Sequence, residues 1–566
     1  MSTDYDLLVR GGTIVDGTGS PAFRGDVAVA GGRIAAIGAV RGSARRVIDA
    51  DGRVVSPGFV DVHTHYDAQV FWDRMLTISP WHGVTSVVMG NCGFGIAPTR
   101  REHRGLILRT LEKVEGMSLE SLEADLGDDW PFETFPEFLA AIERRGTGIN
   151  VGALVGHTPV RLYVMGEAST EREATDDEVA RMRAIVREAV GAGAIGFATS
   201  KSPTHIGYEG RPVPSRAAGL AEIEAIAGEL AGLDRGVVQA TFGPGFFLDE
   251  FASIARRSGR PVSWTALLAG MMKGPGGHRS VLERSAALQR AGAMVYPQVT
   301  GRPLNFEFQW KEPFIFESLS LFKPVSAADH AGKMRIYADP EFRRALRERV
   351  GTGGRSAFAQ RWVRTWISQS PSAPELEERT VAEVAAERGI DPVDCALDLA
   401  LASNLEARFR MALVNVDEDE VEECLKHPTT MLGLSDAGAH ASQLCDACQG
   451  TSLLQRWVRE KQALSLEQAV RMLTSRTAEV FGIHDRGRIA AGLAADLVVF
   501  DPKTVGAASL RRVRDFPAGA DRLVADAIGI DAVIVNGTPI REHGRDVVDP
   551  EGPLPGRVLR SGAHNV

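Results

Sequence analysis

Two histidines stand at positions 63 and 65, at the end of the apolar run Pro57-Gly-Phe-Val-Asp-Val62. Alternate residues on a strand share a face, so His63 and His65 project together. Two imidazoles presented side by side are natural ligands for one metal ion. The competing reading is a pair of unrelated histidines. Their place at the end of a glycine-introduced apolar strand favours the metal. A second candidate lies far along the chain, in Gly433-Leu-Ser-Asp436-Ala-Gly-Ala-His440. A carboxylate there could share the ion and accept a proton from water whose pKa a metal lowers toward about 7. Read alone, Ser435-Asp436 after a strand suits a helix cap. Read with the histidine pair, Asp436 becomes a general base.

These residues need a scaffold that brings strand ends together. From residue 58 to 434 the chain repeats short, nearly continuous Val- and Ile-rich runs separated by helical stretches. The runs cover residues 58–62, 84–89, 149–155, 194–198, 236–240, 261–265, 293–297 and 430–434. Such runs read as strands buried on both faces, and segments such as 177–191 and 220–232 carry apolar residues at helical spacing. Eight strand–helix units predict an α/β fold, a (β/α)8 TIM-like barrel whose chemistry sits at the C-terminal ends of the strands. The stretch from about 300 to 428 is too long for one crossover and predicts extra helices and a lid-like excursion.

Both ends of the chain have a different grammar. Residues 6–10, 13–15, 26–30 and 33–37, then 495–500 and 532–536, are β-rich runs broken by Gly-Gly, Asp-Gly or Asn-Gly pairs. They predict antiparallel strands joined by tight turns. The expected organisation is a small β-sandwich formed by residues 1–56 and 485–566, with the barrel, 57–484, inserted between them.

Composition narrows the function. The chain has 566 residues, 44% hydrophobic and 24% charged, enough for a large barrel and a smaller companion. A net charge of −9 without a basic tract argues against nucleic acid or an anionic membrane as partner. No apolar run reaches the roughly 18 residues of a membrane span, and the first residues lack a leader pattern, so a cytoplasmic location is expected. The five cysteines do not make a disulfide framework. Cys445-Asp-Ala-Cys448 has no second pair and reads as a loop or helix start. The aromatic groups at 242–247 and 306–310 could line an apolar pocket or simply pack the core.

Several stretches together resemble the amidohydrolase superfamily, and within it the N-acyl-D-amino-acid deacylase (D-aminoacylase) branch. They are Ile14-Val-Asp-Gly17, Pro57-Gly-Phe-Val-Asp-Val-His-Thr-His65, Gly83-Val-Thr-Ser-Val-Val-Met-Gly-Asn-Cys-Gly93, Leu154-Val-Gly-His157, Ser435-Asp436, and the segment 485–501. The resemblance implies a hydrolase of amide C–N bonds that uses one or two Zn2+ ions. It implies metal ligation by His63, His65, Cys92 and Asp436, with Asp436 also moving the proton. The implied substrate is an N-acyl-D-amino acid or another small N-acylated compound; self-association is compatible with all of this.

The sequence also departs from that branch. Two further histidine ligands are expected at the ends of the fifth and sixth strands, where this chain has Gln239-Ala-Thr-Phe242 and Ser263-Trp-Thr-Ala266. His157 and His205 follow the third and fourth strands and are read as substrate contacts, with a structural role as the alternative. Lys201 is read as a cationic contact to an anionic substrate group. A rival reading makes Lys201 a carboxylated metal bridge in a cyclic-amide or carbamate hydrolase. A second rival is a non-catalytic barrel that serves as a binding or assembly module.

Overall fold

The computed structural model describes residues 4–117, 119–126, 130–272, 276–317, 319–351, 361–441 and 443–562. The chain start, from which the absence of a leader was read, lies outside them. The central element is a parallel sheet of eight strands: β1 (Phe59–Asp61), β2 (Val84–Met89), β3 (Asn150–Gly156), β4 (Gly196–Ser200), β5 (Val237–Thr241), β6 (Val262–Thr265), β7 (Val295–Val299) and β8 (Met431–Leu432). Each strand pairs with the next in chain order. The ring closes just beyond the strand ends, where Thr64 and Ala437 form a parallel bridge and the His65 N–H donates to the Ala437 carbonyl at 2.8 Å.

The eight runs anticipated from hydropathy are these eight strands. Strands β2 to β6 are buried along their whole length because helices cover the sheet outside and side chains fill it inside. The covering helices begin where capping chemistry places them. Asp176–Gly191 starts at Thr175, whose hydroxyl accepts from the Glu178 N–H while Glu178 answers the Thr175 N–H.

The two ends of the chain meet in one mixed sheet. Leu497–Phe500 runs antiparallel to Val54–Pro57, which pairs in parallel with Tyr5–Ile14. Its hydrophobic residues, among them Leu7, Val9, Ile14, Val27, Val499 and Ile534, form a core of their own. One local expectation changes. Gly11-Gly12 was expected to turn the chain, but Tyr5–Ile14 continues through it as one strand, with a register shift between Val9 and Gly12. Gly11 has φ of 73°, so the pair makes a bulge that bends the strand instead of reversing it.

The chain divides into two compact units. One comprises residues 1–302, 419–441 and 445–566; the other comprises 303–418 and 442–444. The second has its own antiparallel sheet, Leu304–Gln309, Arg408–Val414 and Thr365–Gln369, backed by helices that include Pro392–Ala402. Its core contains Phe308, Trp310, Phe316 and Phe409, so the aromatic run at 306–310 packs there. Among the described residues, no helix is long and apolar enough to cross a membrane.

Candidate metal centre

Side chains from β1, β2 and β8 converge at the mouth of the barrel. His63 and His65 follow β1 with ring centroids 5.4 Å apart. Ligand atoms of His63, His65 and Cys92 all lie within 4.8 Å of one another, and all three residues are buried. Asp436 Oδ1 stands 3.2 Å from His63 Nε2 and 3.6 Å from His65 Nε2. Cys92 Sγ is 3.5 Å from His63 Nε2. The residues span positions 63 to 436, so the folded barrel alone brings them together.

Unusual backbone aims two of these groups. Cys92 sits in the single turn Asn91–Gly93 with φ of 57°, and Asp436 has φ of 47°. L-residues rarely adopt that region, and where they do the surroundings must hold them. Here Asn91 Nδ2 donates to the Val88 carbonyl at 2.9 Å and the Thr64 carbonyl at 3.3 Å, tying the Cys92 turn to the β1 end. Ser435 Oγ donates to the His63 carbonyl at 2.8 Å and ties the Asp436 turn to the same place. Gly438, at φ of 92°, passes so close to His65 that an added Cβ would stand 2.8 Å from its carbonyl carbon.

The electrostatics suit metal ligation. Burial alone would raise the Asp436 carboxyl, but the His65 hydrogen bond and both imidazoles outweigh it and hold the group well below the usual carboxylate range. Burial also pushes the Cys92 thiol up, and the charge and hydrogen bonding of His63, with help from His65, draw it down to about 7. Such a cysteine supplies thiolate, the form that binds soft cations, at neutral pH.

The remaining sequence-predicted residues have other surroundings. His157 opens the helix His157–Met165 fully buried, with Nδ1 2.9 Å from Thr199 Oγ1 and Nε2 2.9 Å from Glu222 Oε1. Lys201 Nζ donates to the carbonyls of Arg216 and Ala218, each at 2.6 Å. His205 is half-buried, with Nδ1 2.7 Å from Ser200 Oγ and its ring 4.9 Å from that of Phe94. Phe242 and Phe247 pack on Trp264 in the core. Cys448 caps the helix Gln449–Leu453, and its thiol donates to the Cys445 carbonyl at 3.3 Å.

Sequence reasoning gave no role to three polar residues that line the same cluster. Gln239 on β5, Thr265 on β6 and Gln298 on β7 are buried, and Gln298 Oε1 lies 2.7 Å from His63 Nδ1. The available signal was a polar side chain near the C-terminal end of an otherwise apolar strand.

A family model described as "Amidohydrolase family" matches residues 46–541. The chain belongs to the amidohydrolase family. Over the whole chain this amidohydrolase is 31% identical to the N-acyl-D-glutamate deacylase of Alcaligenes xylosoxydans xylosoxydans, covering 98% of that protein. It is also 31% identical to the D-aminoacylase of the same organism, covering 95% of each chain. The solved N-acyl-D-glutamate deacylase of Bordetella bronchiseptica, complexed with zinc and a phosphonate that mimics the tetrahedral intermediate, superposes with a TM-score of 0.65. The two are 29% identical, and the match covers 98% of the amidohydrolase and 99% of the deacylase. The barrel and the sheet built from both termini are thus the architecture of this family's deacylases.

Proposed function

We propose that the protein hydrolyses the amide C–N bond of an N-acyl-D-amino acid or a similar small N-acylated compound. The convergence of His63, His65, Cys92 and Asp436 at the barrel mouth carries this reading. Two imidazoles, a thiol drawn toward thiolate and an ionised carboxylate form a mixed N, S and O donor set that suits Zn2+. A zinc ion held there would supply Lewis acidity toward the amide carbonyl and lower the pKa of water.

Each residue then has a definite task. His63 and His65 would hold the ion through nitrogen, and Cys92 would hold it through sulfur. Asp436, kept anionic by the two imidazoles, removes the proton of the attacking water and returns it to the leaving amine. The partial exposure of its side chain, 14%, leaves it open to substrate while the histidines stay behind it.

A cavity of about 260 Å3 supports an apolar acyl or side-chain group on the substrate. It is lined by Phe94, Leu106, Leu111, Thr158, Leu162 and Val213, from loops and helices that follow β2, β3 and β4. It therefore shares the catalytic face of the barrel. Among His157, Lys201 and His205, this reading gives direct substrate contact to His205, whose ring rests on Phe94. His157 and Lys201 brace the surrounding loops with the bonds described above. A carboxylated Lys201 would have to break both of its carbonyl contacts first, which weighs against the cyclic-amide reading.

The test is zinc analysis beside hydrolysis of N-acetyl-D- and N-acetyl-L-amino acids. Expected are bound zinc and turnover of D-substrates, both lost in His63→Ala. Full zinc retention in both His63→Ala and Cys92→Ala would sink the site.

A further inference from the structure

Behind His63 the barrel wall carries a hydrogen-bonded relay whose direction can be worked out from one fixed donor. The backbone N–H of Cys92 donates to Gln239 Oε1 at 2.7 Å, and a backbone N–H has no other role to play. The Gln239 amide is thereby oriented, and its Nε2 donates to Thr265 Oγ1 at 2.9 Å. Thr265 must send its own hydroxyl proton onward. Its acceptor is Gln298 Oε1, 3.5 Å away, because the nearer His63 Nδ1, at 3.2 Å, is itself a donor to Gln298.

Gln298 is oriented from its other side. Its Nε2 donates to Ser263 Oγ at 2.9 Å, and Ser263 donates to Met431 Sδ at 3.5 Å. Gln298 Oε1 therefore faces His63 Nδ1 at 2.7 Å. An oxygen at that distance demands a proton on Nδ1, so the ring nitrogen that can give up its proton and bind a cation is Nε2. Nε2 is the atom turned toward Cys92 Sγ and Asp436 Oδ1. The backbone makes room for this arrangement at Gly433, where an added Cβ would stand 2.3 Å from Gln298 Oε1.

We propose that Gln298, supported by Thr265 and Gln239, is a positioning residue that keeps a proton on His63 Nδ1 and so leaves Nε2 as the ring atom that can bind a cation. This rests on the metal reading above.

Nitrogen-15 NMR of histidine-labelled protein, with His63 assigned by its loss in His63→Ala, should show a proton on Nδ1; a His63 ring protonated at Nε2 alone would overturn the relay. Gln298→Met should weaken zinc binding by about 10–100-fold, and Gln298→Glu, which keeps an acceptor facing Nδ1, should restore most of it. Equal losses in both variants, or none in Gln298→Met, count against the positioning role. If Gln298→Met does not fold, as judged by its thermal melt, the tautomer in the wild type still decides. Wild-type protein that takes up no zinc would sink the metal reading itself, and the histidine spectrum would test the relay separately.

Discussion

Two buried polar clusters in this molecule each hold aspartate and have opposite characters. One lies where the barrel adjoins the sheet built from both termini. There Arg486 pairs with Asp485 and Asp496, and Asp496 also accepts from Asn150 Nδ2 at 2.9 Å and the Asn536 N–H at 2.7 Å. Asn536 Nδ2 in turn donates to Asn150 Oδ1 at 2.8 Å. Every charge is answered by a group that cannot leave. The other cluster is the candidate metal centre. There the Asp436 carboxylate faces imidazoles and a thiol, all of which are electron-pair donors to a cation. Burying a charge without a partner is costly, so a fold must supply either an internal partner or an external one. The first cluster is closed by the chain; the second, on the reading proposed above, is completed by a cation from outside it.

The comparison can be broken at either end. The largest effect is expected from Asp436→Asn, which keeps the shape and removes the proton acceptor. Hydrolysis of the preferred N-acetyl-D-amino acid should fall about 10²–10⁴-fold, with the thermal melt unchanged or raised. Arg486→Leu should do the reverse. Leaving Asp485 and Asp496 buried without their cation should cost about 3–5 kcal/mol in urea unfolding, while the specific activity of the folded fraction stays at the wild-type level. An Arg486 variant as stable as wild type but inactive would erase the distinction between the clusters.

A smaller effect sharpens it. On the proposed reading zinc binds only the folded cluster, so free zinc at a hundred times its dissociation constant should stabilise the wild type by about 2.7 kcal/mol. Cys92→Ala should respond far less at the same zinc concentration in a calorimetric melt.

The smallest effect belongs to a third cluster, Glu222 with His157 and Arg161. Burial alone would raise the Glu222 carboxyl, but His157 and Arg161 prevail and bring it from an ordinary 4.5 to about 2. Its folded value lies below its unfolded value, so its stabilisation is fully present above pH 4.5 and is lost as pH falls toward 2. Glu222→Gln should therefore be less stable than wild type at neutral pH, and the gap should close on acidification. A gap that stays constant from pH 6 to pH 2.5 would remove this group from the account.

What the sequence determined by itself was whatever is fixed by neighbours along the chain. Burial on both faces of a strand demands continuous apolar runs, so eight strands could be located before their order in space was known. The two-residue period of a strand made His63 and His65 a pair. Asp436 could be singled out because it follows the last such run.

Tertiary structure decided what depends on closing long loops. Gln298 reaches His63 across 235 positions, and no spacing rule announces such a contact. The left-handed turns that aim Cys92 and Asp436 hold because Asn91 and Ser435 bond to the end of β1, a partner supplied only by the closed barrel. Gly11-Gly12 bulges instead of turning because flanking strands pair across it. The absence of histidines on β5 and β6 could be read from the chain; only the fold showed that Gln239 and Thr265 stand in a relay toward His63. Local periodicity is a property of the backbone, whereas the partners of a buried polar group are chosen by which strand ends the ring brings together.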